Sequence, residues 1–202
     1  MTRIKLCGLT RACDIEAANR LKPDYIGFVF AEKSRRFVSG DLAKALKSLL
    51  SPEIKAVGVF VNEDPETVAG LLNRGIIDLA QLHGGEDEAY LKRLRTLTDR
   101  PLLQAFRVAG EEDLRRAEGS SADGILLDAG AGDGTVFDWQ LLRNWRRPYF
   151  LAGGLEPGNV REAVRSLRPY GVDVSSGIET GGKKDPEKMK AFVTAVREED
   201  NT

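Results

Sequence analysis

A thiol and a carboxylic acid each stand at the end of a short strand-like run in this chain. Ile4 to Leu6 leads into Cys7 and Gly8, and Ile125-Leu126-Leu127 leads into Asp128. A side chain at the C-terminal end of a strand can point into a cleft rather than into a core. One candidate base and one candidate acid, each at the top of a strand, suit proton-transfer chemistry on a parallel-stranded scaffold. Neither residue is specific alone. A cysteine there is commonly a small buried hydrophobe, and an aspartate can simply cap the next loop. Asp133 and Asp138 are rival carboxylates, although Asp138 is placed to cap a helix starting at Trp139. His83 ends the fourth strand on the same rim, and Cys13 falls where the first helix begins and reads as structural.

The elements that must position these groups alternate from end to end. Strands are expected over 3–7, 24–30, 54–61, 77–83, 102–108, 124–128, 149–152 and 172–175. Between them lie amphipathic stretches at 39–50, 65–74, 86–97, 111–118 and 157–167, a first helix beginning near Asp14, and a last helix over 186–198. Asp64-Pro65, Glu156-Pro157 and Asp185-Pro186 read as helix starts. The strands are continuous apolar runs, as parallel strands covered by helices require. Eight strand–helix units predict one closed (β/α)₈ TIM barrel, a single domain over 1–202, in which loops after the strands build the active site. An open doubly wound sheet would usually carry a glycine-rich turn after its first strand, and Cys7-Gly8-Leu9-Thr10 is not that turn. Two longer loops stand out: a basic one at 31–38 and a Gly- and Asp-rich one at 129–138. The tail beyond Glu198 is expected to fray.

Composition narrows the partners. The 202 residues are 42% hydrophobic and 30% charged, with net charge −1. This balance gives no reason to expect nucleic acid or an anionic membrane, and Arg143, Arg146 and Arg147 read as a solvated face. No apolar run is long enough to span a bilayer, and the N-terminus lacks a signal peptide's apolar stretch. A cytoplasmic location with two free thiols is expected. One histidine and no C-x-x-C give no zinc pattern.

Phosphate binding is suggested at two strand ends. The seventh strand runs into Gly153-Gly154, with a helix expected near Pro157, and the eighth into Ser176-Gly177, which reads as a short extra helix. Glycines let backbone N–H groups approach an anion, and the loops after strands seven and eight commonly hold phosphate in such barrels. The plain alternative is that the glycines only make tight turns.

Taken together, the motifs resemble the phosphoribosylanthranilate isomerase family. They include Lys5-Leu6-Cys7-Gly8-Leu9-Thr10, Gly27-Phe28-Val29-Phe30 with Ser34-Arg35-Arg36, Gly58-Val59-Phe60-Val61 and Gln81-Leu82-His83-Gly84. Leu126-Leu127-Asp128, Phe137-Asp138-Trp139, Ala152-Gly153-Gly154-Leu155, Asp173 to Glu179 and Lys184-Asp185-Pro186 continue the match in order. The sixth loop departs from the pattern: the family often carries Gly-Gly-Thr-Gly-Lys before Phe-Asp-Trp, and here the lysine is missing from 131–136.

The resemblance implies the third step of L-tryptophan biosynthesis, an Amadori rearrangement of N-(5-phosphoribosyl)anthranilate to 1-(2-carboxyphenylamino)-1-deoxyribulose 5-phosphate. It implies Asp128 as the acid that protonates the furanose oxygen, which burial or the substrate's charge would help by raising its pKa. It implies Cys7 as the base at C2, which needs its pKa lowered by the iminium, Lys5 or Arg36. Arg36 is implied to pair with the ring carboxylate; the residues alone leave Arg35 as its competitor. Asp173 is a looser candidate for a ribose hydroxyl or the substrate amine. No metal and no organic cofactor is called for. The sister isomerase of histidine biosynthesis places an aspartate where Cys7 stands and needs a second phosphate site. An indole-forming synthase would need a strand-end lysine. A non-catalytic phosphate-binding barrel would not need both Cys7 and Asp128. A monomer is expected for a short-looped barrel without an obvious apolar patch.

Overall fold

The computed structural model describes residues 1–128, 141–142 and 145–202. The 129–138 loop, with Asp133 and Asp138, lies outside the described residues, as do Trp139 and Arg143. Eight strands form a closed barrel in chain order: β1 Arg3–Cys7, β2 Tyr25–Val29, β3 Lys55–Phe60, β4 Leu79–Leu82, β5 Leu102–Arg107, β6 Gly124–Asp128, β7 Tyr149–Ala152 and β8 Gly171–Val174. Every neighbouring pair is parallel, and β8 closes the ring on β1 with Lys5 opposite Asp173.

Helices cover the ring: α1 Ala12–Leu21, α2 Gly40–Ser48, α3 Pro65–Asn73, α4 Glu88–Leu97, α5 Glu111–Glu118, α6 Val160–Leu167 and α7 Pro186–Asp200. Their starts follow local chemistry. Ser39, Asp64, Asp87 and Asp185 each accept a backbone N–H from the first turn, as helix N-caps do.

Two apolar layers result. Leu103, Ala105, Leu126, Phe150 and Ala152 cluster separately from the rest, with Tyr25 and Leu79 packed against them. The larger cluster joins strands to helices and includes Phe28, Phe60 and Phe192, all fully buried. Each such ring stabilises the fold by roughly 1.5–3 kcal/mol relative to exposure. Trp145 packs on this cluster and meets Tyr149 edge-on at 6.3 Å. No helix among the described residues is long and apolar enough to cross a membrane.

Three sequence expectations need correction. The helix after β7 starts at Val160, not Pro157. Asn159 donates to the Gly154 carbonyl at 2.8 Å and accepts from the Glu156 N–H at 2.9 Å, closing a turn before the helix can begin. Arg147 is only partly exposed rather than a free solvated arginine: its guanidinium donates to the carbonyls of Ser120 and Ala122 beyond the end of α5. The tail does not fray at Glu198. Helix α7 runs on to Asp200, whose carboxylate accepts from the Thr2 N–H at 3.0 Å and the Thr2 hydroxyl at 2.7 Å.

Candidate active site

Parallel strands put all eight C-terminal ends at one mouth, so Cys7 and Asp128 share it, on strands three steps apart around the ring through β7 and β8. Cys7 is free and only 7% exposed. Gly27, its register partner on β2, gives the sulfur room; a Cβ there would lie 2.7 Å from Sγ. Asp128 is less enclosed, its side chain 18% exposed, with its Oδ2 3.2 Å from His83 Nε2.

Beneath Cys7 lies a buried ion pair. Lys5, fully buried, donates from Nζ to both carboxylate oxygens of Asp173 at 2.9 Å. Burial alone would lower the Lys5 pKa, but the charges of Asp173 and Cys7 outweigh it and raise it. Burial pushes the Cys7 thiol up, against the pull of the Lys5 and Lys184 ammonium groups. Desolvation therefore exceeds the pull of the nearby positive charge.

A second charged cluster sits at the end of β8. Glu179 accepts from Arg36 Nε at 2.6 Å and Nη2 at 2.9 Å, from Arg35 Nη2 at 2.9 Å and from Lys184 Nζ at 2.7 Å. Burial would raise this carboxyl, yet the hydrogen bonds and charges of Arg36 and Lys184 hold it down at about 2. Burial lowers the Lys184 pKa, with Glu179 opposing. Lys184 also donates to the Ser175 carbonyl at 2.8 Å, and the Ser175 hydroxyl donates to the Cys7 carbonyl at 3.2 Å. The two arginines differ in depth. Arg36 packs over Gly8, where a Cβ would meet its Cδ at 2.5 Å, and its side chain is 20% exposed against 62% for Arg35.

The glycine turns sit side by side. Gly153 and Gly154 have φ of +90° and +65°, which glycine adopts without strain. Ser176–Ile178 forms a short 3₁₀ turn, as the sequence suggested. Gly177 lies so close to the Leu155 carbonyl that any Cβ would collide with it. A groove of about 630 Å³ on the flank, lined by Phe30, Phe37, Thr67 and Leu71 among others, includes neither Cys7 nor Asp128.

Sequence reasoning missed the Lys184–Glu179 pair and the small hairpin that carries it, β9 Glu179–Thr180 and β10 Lys183–Lys184. The signal was present: Gly181-Gly182 is a two-residue loop with positive φ at both positions, which a tight hairpin turn demands. It also gave Gln81 no part, although its Nε2 lies 3.0 Å from His83 Nδ1.

Comparison with known proteins agrees with this geometry. A family model described as N-(5'phosphoribosyl)anthranilate (PRA) isomerase matches residues 4–195. A protein of that name from Acetivibrio thermocellus is 46% identical over 99% of this chain and 98% of its own length, and one from Endomicrobium trichonymphae is 44% identical over 98% and 99%. The crystal structure of phosphoribosyl anthranilate isomerase from Thermotoga maritima superposes with TM-score 0.90 at 36% identity, covering 98% of this chain and 100% of that one. A structure of such an isomerase in complex with reduced 1-(o-carboxyphenylamino)-1-deoxyribulose 5-phosphate gives TM-score 0.88 at 36% identity, with the same coverage. A strand-end thiol and acid on a closed parallel barrel, matched over nearly the whole length, thus place the chain in the N-(5'-phosphoribosyl)anthranilate isomerase family.

Proposed function

We propose that this barrel isomerises N-(5'-phosphoribosyl)anthranilate in L-tryptophan biosynthesis, with Asp128 as general acid and Cys7 as general base. The observation that carries the roles is the convergence of Cys7 and Asp128 on one barrel mouth from β1 and β6. Asp128 protonates the furanose oxygen as the C1–O bond breaks, leaving an open-chain iminium. That cation acidifies C2 and draws the thiol toward thiolate. Cys7 then removes the C2 proton, and the enolamine tautomerises to the ketone. Because burial holds the resting thiol high, the base is armed by the intermediate itself.

Gly153, Gly154, Ser176 and Gly177 cradle the phosphate through backbone N–H groups, a reading supported by the adjacency of their two turns. Arg36 takes the ring carboxylate and Asp173 faces the sugar or amine. Residues 1–202 act as one barrel domain, as a monomer in the cytoplasm. Size-exclusion chromatography with light scattering reads the assembly, and a dimer mass would refute the monomer.

The test is turnover of freshly made phosphoribosylanthranilate, followed as loss of its fluorescence. Cys7→Ser and Asp128→Asn should each lower kcat by about 10²–10⁴-fold with little change in KM, whereas Arg36→Met should mainly raise KM. Near-normal turnover by Cys7→Ser would remove the base assignment, and no turnover by the unaltered protein would favour a scaffold. A histidine-pathway precursor assayed in parallel reads dual specificity.

A further inference from the structure

Lys184 is buried on β10, and its ammonium has three acceptors: Glu179 Oε1 at 2.7 Å, the Ser175 carbonyl at 2.8 Å and the Ser175 hydroxyl at 3.3 Å. The same hydroxyl donates to the Cys7 carbonyl at 3.2 Å, so the lysine stands two hydrogen bonds from the residue that carries the thiol. Arg11, in the loop after Cys7, donates from Nη2 to the Lys184 carbonyl at 2.7 Å and ties the hairpin to that loop. Taking an ammonium out of water is costly, so its charge calls for a reason. Ser175 does not supply one, because a neutral N–H donor would serve a carbonyl and a hydroxyl as well. Glu179 does not supply one either, because Arg35 and Arg36 already bring it two guanidinium groups. One carboxylate shared by three cations leaves positive charge in excess.

We propose that Lys184 is a positioning residue for the base: its ammonium stabilises the Cys7 thiolate that takes the C2 proton. The inference rests on the reading of Cys7 as the base. Four charged groups face the sulfur or its turn: Lys5 on β1, Asp173 on β8, Lys184 on β10, and Arg36 packed over Gly8. Burial pushes the thiol up, Lys5 pulls it down, Asp173 pushes it up and Lys184 pulls it down. Lys5 and Asp173 are locked together through both carboxylate oxygens, so their opposite effects on the sulfur largely cancel. The charge of Lys184 has no such rival beside Cys7. The iminium adds its charge only after the C1–O bond has broken, whereas Lys184 is in place throughout.

The test is the pH midpoint of Cys7, read as thiolate ultraviolet absorbance in Cys13→Ser protein, less that of a protein with both cysteines replaced. The chain has two cysteines, so the difference belongs to Cys7. Lys184→Met and Lys184→Gln, the second keeping N–H donors without charge, should each raise the midpoint by about one pH unit. Lys184→Arg, which keeps the charge, should stay within about 0.3 unit of wild type. In turnover of phosphoribosylanthranilate, kcat/KM of Lys184→Gln should be roughly tenfold low at neutral pH and should close on wild type as pH rises past the thiol midpoint. An unmoved midpoint in the Gln variant overturns the proposal. So does an Arg variant shifted as far as Gln, or a loss of kcat/KM that is the same at every pH, since either marks a contact rather than a charge. Should Lys184→Met fail to fold, the Gln and Arg pair decides. Near-normal turnover by Cys7→Ser would instead sink the base assignment, while the absorbance midpoint still reads the effect of Lys184 on the thiol.

Discussion

Lys5 is among the largest side chains with no solvent exposure, and it carries a charge. Such a group survives only by pairing, and both oxygens of Asp173 answer it. Removing one partner strands the other in a dry site. Asp173→Asn should therefore cost about 3–5 kcal/mol in urea denaturation, while the double change Lys5→Met with Asp173→Leu should cost far less. A single-variant loss under about 1 kcal/mol would show that the pair is not the anchor described here. The lysine was visible in the sequence as an intruder in an apolar strand. Its partner was not, because it comes from a residue 168 positions away that only ring closure brings alongside. Cys7 and Asp128 were legible for a simpler reason: strand ends in a parallel barrel all face one side. The depth of the sulfur was not, since burial is set by neighbours on β2 and β8.

The short β9–β10 hairpin carries Glu179 and Lys184, two members of the charged cluster at the mouth. Glu179 on β9 is bound by Arg36 and Lys184, and its carboxyl sits at about 2 in the folded chain. Unfolded, it returns to the ordinary glutamate range near 4.3. The clamp's contribution is thus complete above that range and disappears as pH falls toward about 2. Wild type should lose more stability than Glu179→Gln between about pH 5 and about pH 2, by on the order of 2–3 kcal/mol, read as urea midpoints at each pH. Parallel pH curves for the two proteins would exclude the clamp as the source. Elements governed by adjacent residues were readable: Asp64 and Asp185 cap as their spacing suggested. The start of α6 was not, because the Asn159 turn competes with the proline signal. The hairpin needed its paired glycines weighed as a turn rather than passed over as a loop.

Across the whole molecule, the first strand and last helix are tied together. Thr2 gives both its N–H and its hydroxyl to Asp200, and Arg197 bonds the Thr2 carbonyl at 2.7 Å. Asp200→Ala should lower stability by about 1–2 kcal/mol and Tm by roughly 2–6 °C without altering kcat, measured by calorimetry and turnover. An unchanged Tm would mean that the clasp is incidental. The ring order was legible at this scale because alternating apolar runs and helices leave few ways to bury both layers. The charge arrangement at the mouth was not, since it depends on which loops meet. That arrangement bears on recognition. In the resting protein the guanidinium fork of Arg36 already grips an acid of the protein's own, Glu179. Docking of an aromatic acid there, in the reaction proposed, is then an exchange of anions rather than the filling of a vacancy. Affinity reports the difference between two carboxylates, and an analogue stripped of its acid group has nothing with which to evict the tenant.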